Sequence, residues 1–142
     1  MNSNRAYFTF LDHTADMRIK VTGLTLKDLF ENSARSLMQI MIKERPAGKT
    51  SVFKLSVSGE DPSDLMVRWL GEILYLFEGE SKVVMGIEID YITKSHLNAT
   101  LNIAPFNPDQ HEILTEIKAV TYHQIEVARK KDGWQASIIF DL

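Results

Sequence analysis

Leu11-Asp12-His13-Thr14-Ala15-Asp16 is the sharpest local cluster of chemically capable side chains in the sequence, wedged between two strand-like segments. A second polar spot lies far away in the chain, where Phe140-Asp141-Leu142 ends a strand-like segment with a carboxylate beside the terminal one. Hard cations such as Mg²⁺, Mn²⁺ or Ca²⁺ take Asp side chains, main-chain carbonyls and water as ligands, so a loop carboxylate meeting Asp141 would supply such a site. The linear sequence does not say that they meet. Asp12 and Asp16 equally suit Asx turns that cap backbone amides, and Asp141 equally suits a solvated end. His13 has the chemistry of a ligand or general base, and also of a turn residue bonded to backbone. In Glu116-Ile117-Lys118-Ala119-Val120-Thr121-Tyr122-His123, the residues Lys118, Thr121 and His123 gather around a strand end, with Tyr122 available for stacking or hydrogen bonding. Alternation alone puts Lys118 on a polar face, where solvated lysines are ordinary. His96, in a turn, and His111, in a long loop, read as surface residues.

These groups need a scaffold. A length of 142 residues fits one domain, 1–142, able to bury its own core. The 16 Lys and Arg against 19 Asp and Glu leave a formal charge of -3, which disfavours nonspecific grip on a phosphate backbone. Without cysteine there are no disulfides, thiolate zinc sites, iron–sulfur clusters or cysteine nucleophiles. No basic segment followed by an apolar run suggests a secretory signal, and no stretch approaches the ~20 apolar residues of a membrane helix. The cytosol is the expected location. The phosphate-loop, dinucleotide-loop, nucleophile-elbow and zincin patterns are all absent.

Two segments read as helices. Thr25 is a plausible N-cap with Asp28 three residues on, and Leu26, Leu29, Phe30, Ser33, Leu37 and Met41 recur at helical spacing over roughly 25–43. Pro46-Ala47-Gly48 is expected to end that helix. The second helix starts at Asp61-Pro62-Ser63-Asp64 and presents Leu65, Met66, Trp69, Leu70, Ile73 and Phe77, a face read as core. Period-2 segments at 17–21, 52–58, 83–92, 97–103, 117–120, 124–128 and 134–140 alternate apolar and polar residues. Turn chemistry marks hairpins at 93–96 and 130–133, while 105–111 is the one long irregular piece. The class is α+β: two amphipathic helices on one side of a mainly antiparallel, curved or twisted sheet.

Asp12-His13-Thr14-Ala15-Asp16, then Gly23 before a Leu- and Phe-bearing helix, then Lys118-Ala119-Val120-Thr121-Tyr122-His123, and finally Gly133-Trp134 leading to Asp141-Leu142, together resemble the archease family. The resemblance spans the whole chain. It implies an accessory protein of tRNA splicing and RNA repair, a non-catalytic activator of the RtcB-type RNA ligase. That partner joins ends bearing a 3'-phosphate or 2',3'-cyclic phosphate to a 5'-hydroxyl. The activator promotes guanylylation of the ligase histidine from GTP, which is handled on the ligase, and allows multiple turnover. The resemblance further implies a divalent metal at Asp16, Asp141 and Leu142, the last through a main-chain or terminal oxygen, and a role in activation for Lys118. Asp12, His13, Thr14 and His123 are then supporting residues.

Two other classes compete. A stand-alone metal-dependent phosphoester hydrolase would use the same carboxylates, but needs a positioned base or second metal that the sequence does not reveal. A general chaperone or protein-binding module would use them only to brace the fold. Neither strong direct nucleic-acid binding nor membrane association is expected.

Overall fold

In a computed structural model, residues 7–13, 16–44 and 49–142 are described, with the side chains of 10–13 and 44 left aside. The expectations for Thr14, for the Asp12 and His13 side chains and for Pro46-Ala47-Gly48 lie outside what is described. β1 (Phe8–His13) and β2 (Asp16–Gly23) are followed by α1 (Leu26–Met41), then β3 (Ile42–Glu44) and β4 (Ser51–Ser58). After α2 (Pro62–Glu80) come β5 (Lys82–Ile92), β6 (His96–Pro105), β7 (His111–Ile113), β8 (Ala119–Val120), β9 (Glu126–Lys130) and β10 (Gly133–Asp141).

Both helices start where the caps predict. The Asp28 amide donates to Thr25 Oγ1 at 3.0 Å, and the Asp64 amide donates to Asp61 Oδ1 at 2.8 Å, so each cap satisfies an amide without an intrahelical partner. α1 stops at Met41, short of the expected 43, because Ile42 turns extended and pairs with Ile113.

Every strand pair among the described residues is antiparallel, as the alternation requires. The strands divide among three sheets rather than forming one. β1-β2-β10 is continued by β8 and β9, which both pair with the long β10; β4-β6-β5 forms a second sheet, and β3-β7 a short ribbon. The helices lie against inner faces of the two larger sheets: α1 contacts β2, β10 and β5, and α2 contacts β4, β5, β8 and β9. Between them sits the core, with Phe30, Leu37, Trp69, Ile73, Ile19 and Phe140 essentially excluded from water.

Two polar links hold the helices within this core. Trp69 Nε1 donates to the Phe30 carbonyl at 2.9 Å, joining α2 to α1. Glu31 is buried on α1, and its Oε2 accepts from the Ile89 amide at 2.8 Å, beside the bulge between Ile89 and Tyr91. Lys27 and Arg35 flank Glu31 at 4.0 and 3.7 Å, so the carboxylate is both bonded and charge-balanced.

His111 corrects the surface reading. It is buried and stacked on Phe106, with Nδ1 accepting from the Asn107 amide at 2.9 Å. The irregular 105–111 segment is closed on itself: the amides of Gln110 and His111 both donate to the Asn107 carbonyl, and the Asp109 amide to Asn107 Oδ1. A loop packed in this way needs its ring inside.

Candidate metal-binding end of the central sheet

β2 and β10 come from opposite ends of the chain and lie side by side. Their register sets Asp141 opposite Asp16 and Phe140 opposite Met17. In antiparallel strands directly opposed residues share a face, with Cα atoms about 4.5–5.5 Å apart. The pleat turns Phe140 into the core, and therefore places both carboxylates together on the outer face.

Two carboxylates opposed in this way repel each other unless a positive charge balances them. Arg18 supplies part of that charge. Two positions along β2 and hence on the same face, it brings Nε to 4.0 Å from Asp16 Oδ1. That Nε is buried and has no hydrogen-bond partner among the described residues. Asp16 and Arg18 side chains are 28% and 33% exposed, so solvent or a cation reaches the pair from one side. In kind the donors suit a hard divalent cation: two carboxylates on one face, partly open to water. Among the described residues no three His, Cys, Asp or Glu side chains gather into a closed metal cage. Water or a partner would complete the shell.

Lys118 reaches this end through its backbone. Ala119 pairs with Asp141, and the Lys118 amide donates to the Asp141 carbonyl at 2.8 Å. Its side chain is exposed, as alternation with buried Ile117 requires, and it makes no ion pair among the described residues. Leu142 follows Asp141 and is 39% exposed. Asp12 lies opposite Arg18 and His13 opposite Met17 in backbone register, which brings β1 alongside the same end.

His123 goes elsewhere. Five residues, 121–125, separate the registered positions Val120 and Glu126, while only two separate their partners Phe140 and Ser137, so the chain loops out beside β10. Gln124 takes a positive φ of 52° in this bulge, and the His123 amide bonds Thr121 Oγ1 at 3.3 Å. The direction of β8 carries the bulge away from Asp141. Thr121 and His123 are thus separated by β8 from Lys118, against the expectation that the three gather.

The bulge has an anchor that the sequence reading left open. Tyr122 Oη donates to Asp64 Oδ1 at 2.7 Å at the start of α2, and Val127 N donates to Ser63 Oγ at 3.1 Å nearby. Asp64 also accepts from Arg68 Nε and from the Glu60 amide. The hydrogen bond from Tyr122 is the main reason its carboxyl is held below the ordinary value of 3.8, with the Glu60 amide second. The same bond holds the Tyr122 phenol above its ordinary 10.0, because losing the proton would set a phenolate against a carboxylate.

A cleft of about 620 Å³ lies at the other end of β2 and β10, lined by Gly23, Trp134, Lys130, Lys131, Asp28 and Asp132 among others. Its walls mix both charges, so electrostatics there select no ligand class. The acidic pair is the better candidate because β2 and β10 set two carboxylates opposite each other on one face, with a guanidinium beside Asp16.

Comparisons with known proteins agree with the family resemblance. The family model of the archease proteins matches residues 8–142. The chain is 32% identical over 146 residues to a protein archease of Methanosarcina acetivorans, covering all of both chains. It is 33% identical over 135 residues to that of Pyrococcus furiosus, covering 92% of this chain and 95% of the other. The solution structure of protein 1598 from Methanobacterium thermoautotrophicum is 27% identical, with a TM-score of 0.73 over 95% of this chain and 98% of that one. A crystal structure from Thermotoga maritima, described as an archease and possible chaperone, shares the fold with a TM-score of 0.65 at 22% identity over 93% of this chain and 94% of that one. With a model match over nearly its whole length and relatives of this similarity, the chain belongs to the archease family.

Proposed function

We propose that this protein is a non-catalytic activator of an RtcB-type RNA ligase in tRNA splicing and RNA repair, promoting guanylylation of the ligase histidine from GTP and multiple turnover. The carrying observation is the register that sets Asp141 opposite Asp16 on one open face. In this reading Asp16 and Asp141 hold a divalent cation, Ca²⁺, Mg²⁺ or Mn²⁺, with a main-chain or terminal oxygen of Leu142 beside them. When bound, such a cation supplies charge neutralisation for phosphate groups. Asp16 and Asp141 present the site, Arg18 limits their mutual repulsion, and the Lys118 amide fixes the Asp141 carbonyl. The Lys118 ammonium, exposed beside the site, is free to meet an anionic group of the partner or its nucleotide. A cytoplasmic location fits this role, and no helix of the described residues is long and apolar enough to cross a membrane.

The test is ligation of a 3'-phosphate RNA by limiting ligase with GTP and divalent metal, comparing no addition, the wild type and Asp16→Ala. Many turnovers with the wild type alone, and a folded variant that gives none, are the expected result. A folded Asp16→Ala protein that stimulates fully would remove the acidic pair from the mechanism. Phosphoester turnover by this protein without the ligase would replace the activator reading with a hydrolase.

A further inference from the structure

The outer face of the β4-β6-β5 sheet carries a hydrogen-bonded chain of side chains remote from the acidic pair, which belongs to the other large sheet. Antiparallel register sets Ser58 of β4 opposite His96 of β6, and Ser56 opposite Asn98, so all four share one face. Val57 and Leu97, between them in the strands, are buried in the core, which leaves these four outside. Ser58 Oγ and His96 Nδ1 are 2.8 Å apart, and His96 Nε2 and Asn98 Oδ1 are 3.0 Å apart. Ser56 Oγ donates to the same Asn98 oxygen at 2.7 Å.

Asn98 fixes the direction of this chain. A carboxamide oxygen only accepts, so Nε2 holds the imidazole proton, Nδ1 keeps its lone pair, and the Ser58 hydroxyl donates to it. A hydroxyl bonded to an unprotonated imidazole nitrogen, with the other nitrogen held by an oxygen, is the arrangement of an activated nucleophile. The backbone clamps the pair in place. Thr93 Oγ1 accepts from the amides of Ser95 and His96 at 3.2 and 3.1 Å, and the Gly59 amide donates to the Ser95 carbonyl at 2.8 Å. The next row of the same face lacks this chemistry: Thr100 Oγ1 accepts from Lys54 Nζ at 2.7 Å and donates to Asp90 Oδ2 at 2.6 Å, so its hydroxyl is occupied in both directions. Ser58 is exposed, and its Oγ accepts no hydrogen bond among the described residues.

We propose that Ser58 is an acyl-accepting nucleophile, with His96 as its general base and Asn98 as the residue that positions the imidazole. The amides that follow Ser58 are already taken, Gly59 by the Ser95 carbonyl and Glu60 by Asp64 Oδ2, so neither helps to hold a tetrahedral oxyanion. That confines the substrate class to activated acyl donors, thioesters or aryl esters, whose leaving groups depart readily. Ser58 Oγ bonds to the acyl carbon as the bond from that carbon to the leaving sulfur or oxygen breaks. The proton passes from Oγ to His96 Nδ1 and from there to the departing thiolate or phenolate. Tyr91, opposite Asn98 on β5 and 57% exposed, offers an apolar wall on the same face for the hydrocarbon part of the donor. This site goes beyond the activator reading and does not depend on it.

The experiment treats the whole protein with p-nitrophenyl acetate and follows the acetylated residues over time by peptide mass mapping. Ser58 should acquire an acetyl group about a hundredfold faster than Ser51 and Ser95, which are exposed but have no imidazole partner among the described residues. His96→Asn should bring Ser58 down to the rate of those two serines. Asn98→Leu should slow it, and Asn98→Asp, which keeps an accepting oxygen, should restore it; a merely structural Asn98 would change the unfolding midpoint and not this relative rate. Acetylation of Ser58 no faster than that of Ser51 and Ser95 in the wild type overturns the proposal without any variant. Acetyl groups found on lysine side chains alone do the same. A folded His96→Asn protein acetylated at Ser58 as fast as the wild type also overturns it, because the hydroxyl would then react without its base.

Discussion

Asp64 and Tyr122 show how one hydrogen bond between distant residues makes part of the structure respond to pH. Because the carboxyl is depressed in the folded chain, its contribution is present above its unfolded value of 3.8 and lost as pH falls through the lower folded value. For the phenol the order reverses: its contribution is present below 10.0 and lost as pH rises through the raised folded value. Tyr122→Phe removes the largest cause of the Asp64 shift, so an NMR titration of that carboxyl should move up towards 3.8, whereas an unmoved titration would mean the bond does not persist in solution. The sequence showed Tyr122 as a residue able to bond but gave no partner, since Asp64 lies far off in another element. Arg18 was passed over in the sequence although a signal existed, since period-2 alternation puts it on the face of Asp16. His111 was misread for a physical reason: a polar loop predicts exposure, and only the closed turn around Asn107 shows why the ring is inside.

At the scale of elements, what was legible follows from how local the signal is. Helix starts were readable because Thr25 and Asp61 act within three residues, and the long hairpin of β5 and β6 because its alternation runs for several residues on each side of a turn. The β3-β7 ribbon went unseen, as three-residue strands carry too little pattern, and β8 was expected to begin at 117 although it spans only Ala119–Val120. α2 ends at Ser81, which adopts φ 54° and ψ 42°, a left-handed conformation that costs an L side chain energy and suits glycine. Ser81→Gly should therefore raise stability by about 0.5–1 kcal/mol, read as a higher urea midpoint at unchanged slope. A lower midpoint would show that the Ser81 side chain contributes more than its backbone costs. Gly133 illustrates the opposite constraint, with φ 139° and a hypothetical Cβ only 2.5 Å from the Gly23 carbonyl, so the turn into β10 depends on glycine.

For the whole molecule, the decisive feature is that two helices serve two sheets. α1 and α2 each pack on strands of both, and Trp69 bonds across from one helix to the other. Neither sheet keeps a core if the helices leave, so the domain should unfold as one unit. Tryptophan fluorescence and backbone circular dichroism should give superimposable urea curves; two separated transitions would show that the sheets hold independent cores. The class and the antiparallel pairing were visible in the alternation, but the division into separate sheets was not, since partner choice depends on contacts between remote segments. The Asp16–Asp141 register belongs to the same category.

That register also gives the molecule a test of its own completeness. The two carboxylates lie almost a chain length apart in sequence, and no local turn brings them together. A nascent chain still lacking β10, or one whose final strand has slipped by a residue, owns both building blocks at most and the paired face not at all. In the reading above, only a chain with this strand correctly zipped into place could engage the cation and its client, so immature or misfolded copies would remain inert bystanders.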